Sequence, residues 1–173
     1  MNGSGVCAMA KLTAYRFEVI IDQTAKLADK GPELCKAAVY AGAKVMADAY
    51  RREISALHTV SEKKQMAAWH KMEPTYLSVK QKIGLLNSLG VTPIKSRNGV
   101  YNAKVGFDGY NAIITKSWPH GQPNMLVARS CESGSSAMLK QPFARRANGD
   151  RKMAEEAMAD AVNKEIEKIT GGK

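Results

Sequence analysis

The sequence predicts an α+β domain, with helices packed on one face of an antiparallel sheet. Three observations carry this. Leu34, Ala38, Ala41, Val45 and Ala49 recur at spacings of three and four, the period of a helix face. Between 100 and 107 the period changes to two: Tyr101, Ala103, Val105 and Phe107 alternate with Val100, Asn102, Lys104 and Gly106. Near the C-terminus, Ala154, Met158, Ala161, Val162, Ile166 and Ile169 restore the helical period. Helices before and after a run of strands make an α+β layer arrangement.

Each element has its own signal. Gly31-Pro32 fits a helix start, because proline suits a first turn, and the stripe behind it predicts a long helix over 32–57. Small residues on that stripe let the helix lie close to its neighbour. The segment 58–74 is polar and lacks a stripe, so it reads as a long loop or as a short helix capped by Ser61 and ending before Pro74. Tyr76, Val79, Ile83 and Leu86 predict a second helix over 75–89, stopped by Gly90. The alternating strand 100–107 meets Asp108-Gly109, a hairpin signal, and 110–116 answers it as a second strand. A Pro/Gly loop follows, and 125–132 reads as a further strand of an antiparallel meander. Asp150 is placed to cap the amphipathic C-terminal helix, expected on one face of that sheet, with Glu155 and Glu156 near its positive end. The domain expected is 31–173, with 1–30 as an N-terminal extension. The sequence has no internal repeat.

Composition narrows the function classes. The chain has 173 residues, 45% of them apolar, which suits one domain with a core rather than a disordered chain. Aromatic residues are only 6%, so aliphatic side chains and nine methionines are expected to fill that core, among them Met46, Met66, Met72, Met138, Met153 and Met158. No apolar run is long enough to span a membrane, and the N-terminal stretch does not read as a signal peptide. Three well-separated cysteines, Cys7, Cys35 and Cys131, suit a reducing compartment. The net charge of +10 is concentrated in the middle of the chain. Residues 74–149 carry ten basic and two acidic groups, a net of +8, against +3 for residues 1–73 and −1 for residues 150–173. Such a balance suits nucleic acid, an acidic protein partner, or neither, since solubility explains it equally well.

Catalytic and metal-binding readings find little footing. Cys131 and Glu132 with His120 could form a thiol–base arrangement, but no oxyanion-hole signature accompanies them. Cys131 is expected in the core. His58, His70 and His120 are too far apart for a local metal site. The phosphate-loop, dinucleotide-fold and nucleophile-elbow patterns are all missing. The expectation is a protein with no catalytic residues, no cofactor and no metal.

One stretch asks for more: "ARSCESGSSAMLKQPFARRA", residues 128–147. Gly134 can take a positive φ, Ser135 and Ser136 can bond a turn, Pro142 fixes the approach, and Phe143 can bury a large apolar face. Gly134, Pro142 and Phe143 therefore read as architectural, with Arg145 and Arg146 held beside a rigid turn. The stretch also resembles the pattern E-x-G-T/S-S followed by R/Q-P-F-x-R-x-A, which precedes the last helix in head–tail joining or tail-completion proteins of long-tailed bacteriophages, similar to the minor tail protein Z group. Glu132, Gly134, Ser135, Ser136, Gln141, Pro142, Phe143, Arg145 and Ala147 carry it. "AGAKVMADAYRREI" is similar to the family's long first helix, and "GLLNSL" to the segment leading into its sheet. The resemblance spans roughly 31–169. It departs where Gly84 and Leu85 are adjacent, where Arg146 replaces a common proline, and where 58–74 and 115–125 look like insertions.

The resemblance implies a non-enzymatic virion protein of the neck or upper tail, assembled in the host cytoplasm. It implies a ring of six copies, in contact with connector, neck and tail-tube proteins, with DNA only passing through the lumen and no membrane. Glu132, Arg145 and Arg146 become candidate inter-subunit or inter-ring contacts. A tail terminator capping the tube is the neighbouring alternative, and a basic nucleic-acid-binding module the more distant one.

Overall fold

The computed structural model describes the backbone of residues 5–171 and the side chains of residues 25–171. It is an α+β fold in which helices dominate. Helix α1 (Gly5–Ser55) is 51 residues long, which at 1.5 Å per residue makes a rod of roughly 75 Å. Pro32 lies inside this helix and does not begin it, so the expected boundary at residue 30 falls within a continuous element. A proline costs a helix one hydrogen bond and about 3 kcal/mol, which helix-forming residues on both sides can outweigh.

After α1 the chain makes a two-residue strand β1 (Thr59–Val60), helix α2 (Glu62–His70) and strand β2 (Leu77–Ser78). Ser61 caps α2, its hydroxyl accepting from Lys64 N–H at 3.3 Å. Strands β1 and β2 run parallel. Helix α3 (Val79–Ser88) starts four residues later than the sequence predicts, because Ser78 forms a capping box with Gln81 and leaves 75–78 extended.

The antiparallel strands form a two-stranded ribbon, not a meander. Strand β3 (Leu89–Val91) pairs antiparallel with β6 (Val105–Phe107), and β4 (Lys95–Arg97) with β5 (Val100–Asn102). The hairpin turn is Asn98-Gly99, with φ of 53° and 76°, as a type I′ turn requires. The expected turn at Asp108-Gly109 is instead a bend that closes on itself, Gly109 N–H donating to Asp108 Oδ1 at 2.7 Å. The segment 110–116, expected as a strand, is irregular apart from short bridges.

The predicted strand at 125–132 is helix α4 (Asn124–Ser133). Its buried residues, Asn124, Val127, Ala128 and Cys131, follow spacings of three, one and three, the period of a helix face. A short apolar run cannot be assigned by hydrophobicity alone. Helix α5 (Phe143–Ala147), a 3₁₀ turn at Asn148–Asp150 and helix α6 (Arg151–Thr170) complete the fold.

Helix α6 packs chiefly along α1, not on a sheet face. The two run antiparallel: Arg52 pairs with Asp150 at 2.9 Å, and ten residues earlier Gly42 faces Met158. A Cβ on Gly42 would lie 2.7 Å from Met158 Sδ, so glycine sets the helix separation. The core lies between α1, α3, α4 and α5. It contains Ile54, Leu57, Leu77, Leu85, Leu89, Val127, Cys131, Met138 and Phe143. Met46 and Met158 are half-buried, but Met66, Met72 and Met153 are exposed and fill no core.

Candidate interaction site

The stretch 128–147 forms a tightly bonded corner. Helix α4 ends at Gly134, whose φ of 78° turns the chain; a Cβ there would lie 3.2 Å from Lys140 Cβ. Ser135 Oγ accepts from Ala137 N–H at 3.3 Å and Met138 N–H at 3.1 Å, closing the turn. Leu139 N–H then donates to Thr75 O at 2.9 Å, fastening the corner to the start of β2. Gln141 brackets the end of α1. Its Oε1 accepts from His58 N–H at 2.8 Å, and its Nε2 donates to His58 O at 3.1 Å.

Glu132, a candidate contact by resemblance, works inside the fold. Its carboxylate accepts from Ala144 N–H at 2.8 Å and Arg145 N–H at 3.1 Å. It thus serves as the anionic cap of α5, where Pro142 supplies no side-chain bond. Phe143 is 1% exposed. Its ring meets Tyr50 and Phe107 edge-to-face at 6.0 and 5.9 Å. Gly134 turns the chain, Pro142 precedes α5 and Phe143 is buried.

Arg146 is also held within the fold. Its Nε donates to Glu53 Oε2 at 2.8 Å. Glu53 also receives Arg52, and Arg52 reaches Asp150. This chain of charges ties α5, α1 and the start of α6 together. The Arg146 hydrogen bond, helped by Arg52 and opposed by partial burial, holds the Glu53 carboxyl below the usual range. Arg145 alone of the three is exposed with no ion-pair partner among the described residues.

Cys131 lies in the core at 0% exposure, its thiol near Gln141 O at 3.6 Å. Burial, reinforced by Glu132 and partly offset by Arg146, pushes the thiol up to about 11. A thiol so protonated and enclosed is a poor nucleophile. The three histidines lie apart on the surface. Among the described residues no cluster of side chains could hold a metal ion, and no helix is long and apolar enough to cross a membrane.

A second surface went unread in the sequence. On the outer side of α2 and α3, two open clefts of about 520 and 500 Å³ adjoin, sharing Lys80 and Ala112. Ile83 and Tyr110 line the first, 49% and 64% exposed; Met66 and Ile114 line the second, 46% and 72% exposed. Beneath them lie three buried polar atoms without a protein partner: Trp69 Nε1, Asn111 Nδ2 and Asn124 Oδ1. Gly84 permits this packing, since a Cβ there would lie 2.6 Å from Asn111 Cβ and 2.7 Å from Asn124 Oδ1. A chain of amides supports the face from within. Gln65 donates to Gln81, and Gln81 to Gln122, both at 2.8 Å. Only one sequence signal pointed here, the S-x-x-Q spacing of Ser78 and Gln81. The rest depends on contacts between distant segments.

Scans against protein-family models, curated proteins and solved structures each return no match to this chain.

Proposed function

We propose that this chain is a non-enzymatic structural protein of a long-tailed phage virion. In this reading it is a ring-forming adaptor at the head–tail junction, which joins the tail to the DNA-filled head. The α2–α3 face is the observation that carries the reading beyond the resemblance. Soluble monomers rarely leave large apolar surface contiguous. Here four large apolar side chains surround two adjoining clefts. When such a face meets a different surface of the next copy, the contact is heterologous, and repeated contacts of that kind make a ring where the rotation between copies closes and a filament where it does not.

The α4–α5 corner suits a rigid presenting element. Arg145 projects from it, and a guanidinium pairs with carboxylates in fixed geometry. Glu132 and Arg146 support that element from inside, so of the three candidates Arg145 is the one left free for a neighbour. The protonated, enclosed Cys131 fits a protein whose work is assembly and not catalysis.

The test uses the double variant Ile83→Glu, Ile114→Glu. Both side chains already stand well out of the fold, so the subunit should remain folded and soluble. Assembly with this variant should give separate full heads and free tails. Joined particles at normal yield would overturn the reading. Overlong, uncapped tails would show a tail terminator instead.

A further inference from the structure

The ribbon 89–107 has two unlike faces. Tyr101, Ala103, Val105 and Phe107 are half-buried, and all but Phe107 line a cleft against α1 and α6, whose edge the exposed Asn102 also reaches. The other face is set by strand alternation and by the cross-strand register, which places Lys95 opposite Asn102 and Arg97 opposite Val100. Val100, Asn102 and Lys104 share that outward side with Lys95 and Arg97, and all five are exposed. The Lys104 backbone is fixed by two bonds with Thr92, at 2.8 and 2.9 Å.

None of these three cations has an ion-pair partner among the described residues, and residues 89–107 contain no acidic side chain. The nearest acid in sequence, Asp108, stands at the base of the ribbon beyond β6. Strand β4 is exposed at all three residues, and the distal ribbon is steadied against the body through β5 on α1. A projecting ribbon with this composition does little for the core.

We propose that this outward face, Lys95, Arg97 and Lys104 with Asn102, is a contact surface for the phosphate backbone of duplex DNA. Three features favour DNA over an acidic protein. The face has one exposed apolar side chain, Val100, and lacks the aromatic anchors on which protein interfaces depend. Four of the chain's exposed apolar side chains cluster instead around the clefts beside α2 and α3, and Val91, also exposed, sits at the ribbon's base on β3. From Val100 to Lys104 the strand spans about 13 Å, close to four base-pair steps at about 3.4 Å each. A two-stranded ribbon also matches the width of a major groove. The contact is sequence-independent, since lysine and arginine reach phosphates without reading bases. The inference deepens the adaptor reading by naming the element that would meet the DNA in the lumen, yet binding by the isolated chain can be measured without any particle.

The experiment measures binding of the full chain to a fluorescent 30-base-pair duplex of arbitrary sequence, between 50 and 200 mM salt. The variant Lys95→Gln, Arg97→Gln, Lys104→Gln is compared with Lys63→Gln, Lys64→Gln, Lys71→Gln on and beside α2, which removes the same charge from another exposed region. The ribbon variant should weaken binding at least tenfold at the lowest salt. It should flatten the salt dependence by about 2–3 in slope, from roughly 0.9 per lost phosphate contact. The α2 variant should change both much less. Equal losses in the two variants would mean that net charge alone attracts DNA and would overturn the proposal, as would an unchanged ribbon variant. Polyglutamate bound by the ribbon more tightly than DNA would replace it with an acidic protein partner. If the triple variant melts early, Lys95→Gln and Arg97→Gln are tested singly, each expected to lower the slope by about 1. Joining of particles is a separate readout, so this proposal can fail while the adaptor reading stands.

Discussion

Replacing Phe143 with alanine tests whether the α4–α5 corner is part of the core or a surface ornament. The ring is 1% exposed and sits between Tyr50 and Phe107. Removing a buried phenyl ring forfeits its transfer energy and leaves a cavity that the surroundings fill only in part, about 3–5 kcal/mol in all. In a chain of this size each kcal/mol shifts the melting temperature by about 2–4 °C, so a drop of about 6–20 °C is expected. Urea unfolding should show a lower midpoint with an unchanged slope, as expected for a loss of stability without a change in the surface exposed. Phe143→Leu separates the contributions. It keeps most of the apolar volume but loses two edge-to-face contacts, each about 0.5–1.5 kcal/mol, so its cost should fall near 1–3 kcal/mol. A melting temperature within 2 °C of the parent for Phe143→Ala, on the scale of roughly 2–4 °C per kcal/mol, would refute the placement of this ring in the core.

Two further outcomes are expected. Iodoacetamide should modify exposed Cys35 in the native protein and spare Cys131, with the Cys131 rate staying negligible from pH 7 to 9 because its thiol is pushed up to about 11; peptide mapping checks this, and rapid native labelling of Cys131 would refute it. Gly84→Ala should destabilise the fold by about 1–3 kcal/mol, because the new methyl meets Asn111 and Asn124 at under 3 Å; an unchanged urea midpoint would show that loop 108–111 yields freely.

The corner 128–147 was legible because its logic is local. Gly134 turns the chain, Ser135 bonds the next residues, and Pro142 delivers Phe143 inward. The terminal helix was legible for a similar reason, since its apolar stripe repeats over about four turns. The helix 124–133 was not. Its buried face is only four residues wide, and "MLVARSCE" satisfies a strand nearly as well as a helix until Pro123 and Gly134 are seen to bracket it. The ribbon shows a different limit. Asn98-Gly99 and Asp108-Gly109 both obey the local rule for a hairpin, and pairing of 89–91 with 105–107 decides between them. Glu132 marks the furthest reach of local reasoning. Nothing near it in sequence announces that its carboxylate caps a helix twelve residues later, and so its charge looked available for a partner.

The amide seams carry a consequence for how this molecule meets changing surroundings. Gln65, Gln81 and Gln122 join α2, α3 and the loop before α4, while Gln141 fastens the corner to the end of α1. Carboxamides have no proton to gain or lose over the physiological range and no net charge for dissolved ions to shield. These amide joints are therefore indifferent to acidity and ionic strength, whereas the Glu53–Arg146 and Arg52–Asp150 pairs, the Glu132 cap, the cationic ribbon and the guanidinium of Arg145 respond to one or both. A shift in the medium can thus loosen or tighten the charged contacts while the seams between α2, α3 and the loop before α4 stay as they are.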